Sequence, residues 1–202
     1  MDSDARSVVI VWVTCYAESM KTIAVIFGGR SAEHDVSIVT AIANVIKPLE
    51  LSKQYRVEAV YITKNGVWFW DDRLKDIGLF TSGKIDLFVA RNKPACVSFD
   101  GGFMLTRSGG LSGRKHCKVD VVFPSMHGTY GEDGALMGLL DMAGVPYVGC
   151  GIEAAVLAMN KVLTKQIAAY DIPVSKFLNF TNKQLEQDPA TAIKHIVKEL
   201  TF

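Results

Sequence analysis

The run TIAVIF at residues 22–27 ends in Gly28-Gly29 and most constrains the fold. A short, continuous apolar segment stopped by glycines reads as a strand buried on both faces, the kind found inside parallel sheets. A helical stripe follows it. Ile38, Ala41, Ile42, Val45, Ile46 and Leu49 share one face, with Asp35 or Ser37 as candidate N-cap and Pro48 near the end. Tyr55 to Ile62, rich in β-branched and aromatic residues, is the next strand, which completes a strand-helix-strand unit of about 40 residues. Units of this type make parallel sheet, so the expectation is an α/β fold with a Rossmann-like sheet flanked by helices.

Two hairpin signals interrupt the pattern. Asn65-Gly66 lies between Tyr61-Ile62 and Val67-Trp68-Phe69, and Asp100-Gly101 lies between Val97-Ser98-Phe99 and Phe103-Met104-Leu105. Such dipeptides supply the positive φ angles of tight hairpin turns. The region from about 64 to 118 therefore reads as an antiparallel insertion of hairpins and loops. Within it, residues 107–118 carry Arg107, Arg114, Lys115 and Lys118 with three glycines and no acid, and read as a solvated basic loop. Parallel strands resume at Val119 to Phe123, before Pro124, and at Val145 to Val148. Between them Ala135, Leu136, Leu139 and Leu140 form an amphipathic helix that Gly144 and Pro146 end. Helices are expected at 152–159 and at 161–170, the second capped by Asn160, and a last one after Asp188-Pro189, with Ile193, Ile196, Val197 and Leu200 on one face. These late helices have almost no strand to cover them, so the architecture reads as interrupted at its end.

Composition narrows the function classes. Hydrophobic residues make up 49% of the 202, and 22 basic side chains face 21 acidic ones. That balance excludes a disordered tail and a strongly basic nucleic-acid binder, and the basic 107–118 segment lacks the interleaved aromatics of a nucleic-acid surface. Cys15, Cys96, Cys117 and Cys150 are scattered, without a Cys-x-x-Cys pair, which indicates neither a zinc site nor a disulfide framework and favours a reducing cytoplasm. The apolar run Val8 to Val13 is far short of the roughly 20 residues that cross a membrane, and the acidic start at Asp2 and Asp4 is unlike a secretory signal. Residues 1–19 are expected to be an extension ahead of the domain.

Chemistry-bearing residues cluster after two of the strands, where open parallel sheets bind ligands. The first cluster is Gly28-Gly29-Arg30-Ser31-Ala32-Glu33-His34-Asp35-Val36-Ser37, which lacks the G-x-G-x-x-G dinucleotide fingerprint. Glu33 can hold an ammonium group there, or Glu33 and Asp35 can simply complement the helix dipole. The second is His127-Gly128-Thr129-Tyr130-Gly131-Glu132-Asp133-Gly134. An imidazole leading a glycine-rich turn at a strand end favours function. Glu132 and Asp133 read as ordinary first-turn acids, since neighbours in a helix do not face each other. His34 and His127 lack a third ligand at useful spacing, so no metal site is expected.

The segments IAVIFGGRSAEHDVS (23–37), FPSMHGTYGEDGALMG (123–138), GVPYVGCG (144–151) and AMNK (158–161) together resemble the N-terminal region of the D-alanine:D-alanine ligases of the ATP-grasp superfamily. The likeness runs in order from about Lys21 to Pro173, and HG-x-x-GEDG is its most specific motif. It implies a pre-ATP-grasp domain over 20–159 and an incomplete start of the ATP-grasp central domain over 160–202. The implied reaction is ATP-dependent and requires Mg (or Mn): one D-alanine is activated as an acyl phosphate, and a second attacks it to form the dipeptide used in the bacterial cell wall. Catalysis of this kind rests on positioning and on neutralising developing charge. By resemblance, Glu33 anchors the ammonium of the first D-alanine, Val36 lines the same pocket, His127 stands beside the substrates and Lys161 reaches the ATP phosphates. A cytoplasmic homodimer is implied, with D-alanine and ATP as partners and neither nucleic acid nor membrane.

Two positions depart from the pattern. Met137 replaces a small or amide residue and Asn160 an aspartate, and neither change removes a reacting group. The adenine pocket, the second phosphate-binding lysine, the oxyanion arginine and the metal ligands of the family have no counterpart in these residues. The isolated chain is accordingly expected to be inactive. The alternatives are a D-alanine:D-lactate or D-alanine:D-serine ligase, or a non-catalytic ligand-binding module on a Rossmann-like sheet.

Overall fold

A sheet of four strands organises the molecule. The computed structural model describes residues 20–110 and 113–200, so the expected 1–19 extension and its apolar run lie outside the described residues. The central strand β1 (Thr22–Gly28) is buried at every position, as its unbroken apolar run demands. It pairs in parallel with β2 (Arg56–Ile62) on one side and with β7 (Val121–Pro124) on the other. The short strand β3 (Trp68–Trp70) returns antiparallel along β2 after the Asn65-Gly66 turn.

Alternation along β1 and β2 divides the core in two. Val25, Phe27, Ala59 and Tyr61 face a helix made of α1 (His34–Thr40), a π-helical stretch Ala41–Ile46 and α2 (Lys47–Ser52), whose Ile38, Ala41, Ile42, Val45 and Ile46 are buried. Ala24, Ile26 and Val60 face the opposite way. They pack against a second, antiparallel sheet of β4 (Cys96–Ser98), β5 (Phe103–Ser108) and β6 (Arg114–Val119), and against α5 (Ala135–Met142). Met137 is buried in that layer, so the residue in place of the smaller one serves packing.

Several sequence expectations change. The first helix starts at His34, without a side-chain cap, so neither Asp35 nor Ser37 is its N-cap, and it runs past Pro48 to Ser52. The 64–118 insertion is not only hairpins and loops. It contains a 3₁₀ turn (Asp72–Lys75), α3 (Ile77–Thr81) and α4 (Ile85–Arg91), which bring Leu74 and Phe88 into the core on the α1 side. The basic 107–118 segment is no free loop: Arg107 and Ser108 pair with Lys115 and Arg114 across β5 and β6, and Arg114, Lys115 and Lys118 are exposed while Cys117 and Val119 turn inward. The strand expected at Val119 to Phe123 is broken at Asp120, and its two halves belong to different sheets. The strand expected at Val145 to Val148 is reduced to a single parallel bridge between Val122 and Tyr147.

Buried polar groups tie the insertion to the main sheet. Glu58 accepts from Trp70 Nε1 and Arg56 Nε, each at 2.7 Å. Asp71 accepts from Arg73 at 2.8 Å and forms an ion pair with Arg107 at 2.9 Å, and the Arg107 guanidinium lies 5.3 Å from the Trp70 ring centre. Burial alone would raise the Asp71 carboxyl, but the Arg73 hydrogen bonds and the Arg107 charge outweigh it and hold the group below the usual carboxylate range.

The carboxyl-terminal third is helical: α6 (Ile152–Met159), α7 (Lys161–Ala168), α8 (Asn182–Gln187) and α9 (Pro189–Leu200). Asn160 caps α7 as expected, accepting from the Val162 and Leu163 amides, and α7 ends at Ala168 rather than at 170. Much apolar surface stays exposed here, including Ile167, Ile172 and Ile193. No helix among the described residues is long and apolar enough to cross a membrane.

Candidate functional site

The carboxyl ends of β1 and β7 point to the same edge of the sheet, and each passes directly into a glycine turn. One buried serine binds the two turns together. Ser37, fully enclosed in α1, accepts from the Gly28 amide at 2.8 Å and donates to the Ser125 carbonyl at 2.6 Å. Gly28 has φ 86°, and a side chain there would meet the Ile62 carbonyl, so only glycine lets β1 turn this tightly against β2.

The first turn carries Glu33 immediately before α1, exposed to solvent. The second carries His127. Its Gly128 has φ 70°, and a Cβ at that position would lie 3.4 Å from Ser31 Cβ and 3.6 Å from Glu33 Cδ. Those are ordinary contact distances, so it is the positive φ that requires glycine here, and the second turn lies directly against the Glu33 carboxylate. Glu33, His127 and Glu132 each place a polar atom within 4.8 Å of the others'. The Glu33 and His127 expected from the sequence are therefore brought together.

The sequence suggests a first-turn acid at Glu132, and the structure corrects this. α5 begins only at Ala135, and Glu132 belongs to the turn: it accepts the Gly128 amide at 2.8 Å and lies 3.8 Å from His127 Nδ1. Asp133 likewise closes the turn, accepting from the amides of Tyr130 and Ala135 at 2.8 and 3.1 Å. Tyr130 is held at φ 65°, an uncommon conformation for a residue with a side chain. The sequence signal for these roles was available: acids within a glycine-rich loop serve as amide acceptors before the helix starts. His127 Nε2 is buried and has no hydrogen-bond partner among the described residues. A buried ring nitrogen without a partner is uncommon, and Nδ1 is the ring atom that lies toward Glu132.

The remaining expected residues divide. Val36 lies on α1 one turn beyond Glu33 and is 55% exposed. Lys161 does not join the cluster: it opens α7, and its ammonium donates to the Ala158 carbonyl at 2.8 Å, a contact local to the α6–α7 corner. His34 is structural. It is 2% exposed, with Nδ1 bonded to the Gly29 carbonyl at 2.7 Å and Nε2 to the Tyr61 hydroxyl at 3.1 Å.

The donor set is unlike a magnesium site. Glu33, His127 and Glu132 include an imidazole nitrogen, whereas magnesium takes oxygen ligands in a near-octahedral shell. For a nucleotide, Lys161 supplies a cation at a helix N-terminus, but Asn160 already occupies the Val162 and Leu163 amides that would otherwise face an anion.

Fold and site together define an open α/β domain with a polar cluster at the carboxyl edge of its parallel sheet. The family described as D-ala D-ala ligase N-terminus matches residues 22–150, and the chain belongs to that family. It is 35% identical to the D-alanine--D-alanine ligase of Ruminiclostridium cellulolyticum, over 91% of this chain and 50% of that protein. Among solved structures it is similar to the D-alanine-D-alanine ligase from Coxiella burnetii, with TM-score 0.67, 30% identity, and coverage of 88% of this chain and 50% of that one. It is also similar to the VanG D-Ala:D-Ser ligase from Enterococcus faecalis, with TM-score 0.62, 30% identity, and coverage of 91% and 50%. The chain spans about half the length of the curated relatives it matches.

Proposed function

We propose that these residues form the amino-acid half of the active site of an ATP-dependent D-alanine:D-alanine ligase, which makes the D-alanyl-D-alanine dipeptide for peptidoglycan in the cytoplasm. The convergence of Glu33, His127 and Glu132 at one sheet edge carries this reading. An ammonium brings three donors and a positive charge, and the Glu33 carboxylate answers both. Val36 walls the methyl side. The His127 imidazole stands in the same cluster and is suited to hold a substrate oxygen, while Glu132 fixes the turn that carries the ring.

Bound ATP supplies the phosphoryl group that makes the carboxylate an electrophile. Lys161 is the residue of this chain proposed to approach its phosphates. The D-alanine-named relatives favour a D-alanine acceptor over D-lactate or D-serine. The division into a pre-ATP-grasp domain, 20–159, and the start of a central domain, 160–202, belongs to the same reading, as do a homodimer and a magnesium requirement met by residues other than those described. These 202 residues alone are expected to bind D-alanine without turning over ATP.

Binding of D-alanine to the chain, followed through the Gly29 and Gly128 amide resonances, tests the reading. A dissociation constant in the millimolar range is expected, weakened about tenfold or more by Glu33→Gln, which removes a charged hydrogen bond of about 1.5–3 kcal/mol. Unchanged binding in that variant would overturn the assignment of Glu33.

A further inference from the structure

On the α1 side of the sheet, below the first glycine turn, lies a cavity of about 340 Å³ that the Glu33–His127 cluster does not use. That is within the size range of small-molecule sites. Tyr61, at the end of β2 and only 5% exposed, lines it together with His34. Ile38, Phe80 and Val89 form apolar walls, and Asp35, Lys64 and Asp86 form the polar rim.

Hydrogen-bond bookkeeping fixes the polarity of the floor. The Gly29 carbonyl can only accept, so His34 Nδ1 carries a proton. In the neutral ring Nε2 is then an acceptor, and the Tyr61 hydroxyl spends its one proton on it at 3.1 Å. The phenol oxygen keeps lone pairs and has no proton left, so it can serve a ligand in the cavity only as an acceptor. The rim adds two carboxylates. Lys64 is the one cation among the lining residues and is engaged by Asp35 at 3.3 Å, whereas Asp86 forms no ion pair among the described residues. Tyr61 itself registers the field: burial first, and then the Asp35 and Asp86 charges, push its hydroxyl up to about 12. Thr63 and Asn65 add a hydroxyl and an amide to the lining, so the charge of the rim, two carboxylates against Lys64, is what sets this cavity apart from a neutral apolar hollow.

We propose that this cavity is a second ligand site, separate from the Glu33–His127 cluster, that takes a small primary amine with an apolar body. The ammonium is recognised by Asp86 and the Tyr61 oxygen, and the body rests on Phe80 and Val89. The preference for an ammonium over a neutral hydroxyl, which can also donate, follows from the uncompensated Asp86 charge.

Titrating the chain with benzylamine, and in parallel with the neutral and nearly isosteric benzyl alcohol, tests this through the Val89 methyl resonances. Benzylamine is expected to bind in the millimolar range and benzyl alcohol at least about fivefold more weakly. Asp86→Asn, at an exposed position where folding is unaffected, is expected to bring benzylamine down to the level of the alcohol. Equal affinity of the two probes in the unmodified chain would show an apolar hollow only and overturn the proposal. So would benzylamine shifts confined to Gly128, or wild-type affinity for benzylamine in Asp86→Asn. Glu33→Gln is expected to leave benzylamine binding unchanged, so this site and the D-alanine site stand or fall separately.

Discussion

Ser37 shows how much a single side chain can decide. It sits on the buried face of the first helix, where an apolar residue would pack as well, yet its hydroxyl accepts from the turn after β1 and donates to the turn after β7. Ser37→Ala would leave a buried amide and a buried carbonyl without this partner. It is expected to cost about 2–3 kcal/mol, measurable as a lower urea midpoint with unchanged slope. Val36 is its informative neighbour: Val36→Ala should leave the midpoint nearly unchanged, because that side chain is mostly in solvent. The sequence names Ser37 as a candidate cap, since serine near a helix start commonly caps it. Its true role depends on a residue 88 positions away, which no local rule reaches.

At the level of elements, the hairpin insertion is held by buried apolar residues such as Leu74, Phe88, Phe103 and Leu105 and, beside them, by a charged cluster. Asp71 precedes a 3₁₀ turn, binds Arg73 on its own segment, and reaches Arg107 on β5. Its carboxyl is held below its ordinary value in the folded chain, so the unfolded chain binds the proton first. The stability it contributes is present above the unfolded carboxyl pKa of about 3.9 and is lost as pH falls through the lower folded value. Unfolding free energy measured between pH 6 and 3 should therefore fall less steeply in Asp71→Asn than in the parent chain, although the variant is weaker at pH 6. Asn-Gly and Asp-Gly turns made both hairpins legible. The helices between them were not, because Asp72 to Arg91 is composed of pieces too short for a periodic stripe to stand out. Likewise the basic segment 107–118 reads as loop by composition, while its alternation of charged and inward residues becomes meaningful only once β5 offers it a partner edge.

The whole molecule is uneven in how its parts are covered. β1 is enclosed by neighbours on both edges and both faces, whereas α7 has no buried residue and α9 has one, Ala192. Amide exchange should accordingly be slowest in residues 22–28 and markedly faster in 161–168 and 189–200, and comparable protection across these segments would contradict the layering described above. The sequence by itself determined the α/β class, the parallel pairing around residues 22–28, the two glycine turns with Glu33 and His127, and the Asn160 cap, because each follows from chemistry within a few residues. Only the tertiary structure decided that Gly128 lies against Glu33, that Glu132 belongs to the cluster, that the 119–123 strand divides between two sheets, and that Tyr61 and His34 line a separate cavity. Those outcomes depend on contacts between residues distant in the chain, whose geometry exists only after the sheet has brought its carboxyl ends to one edge.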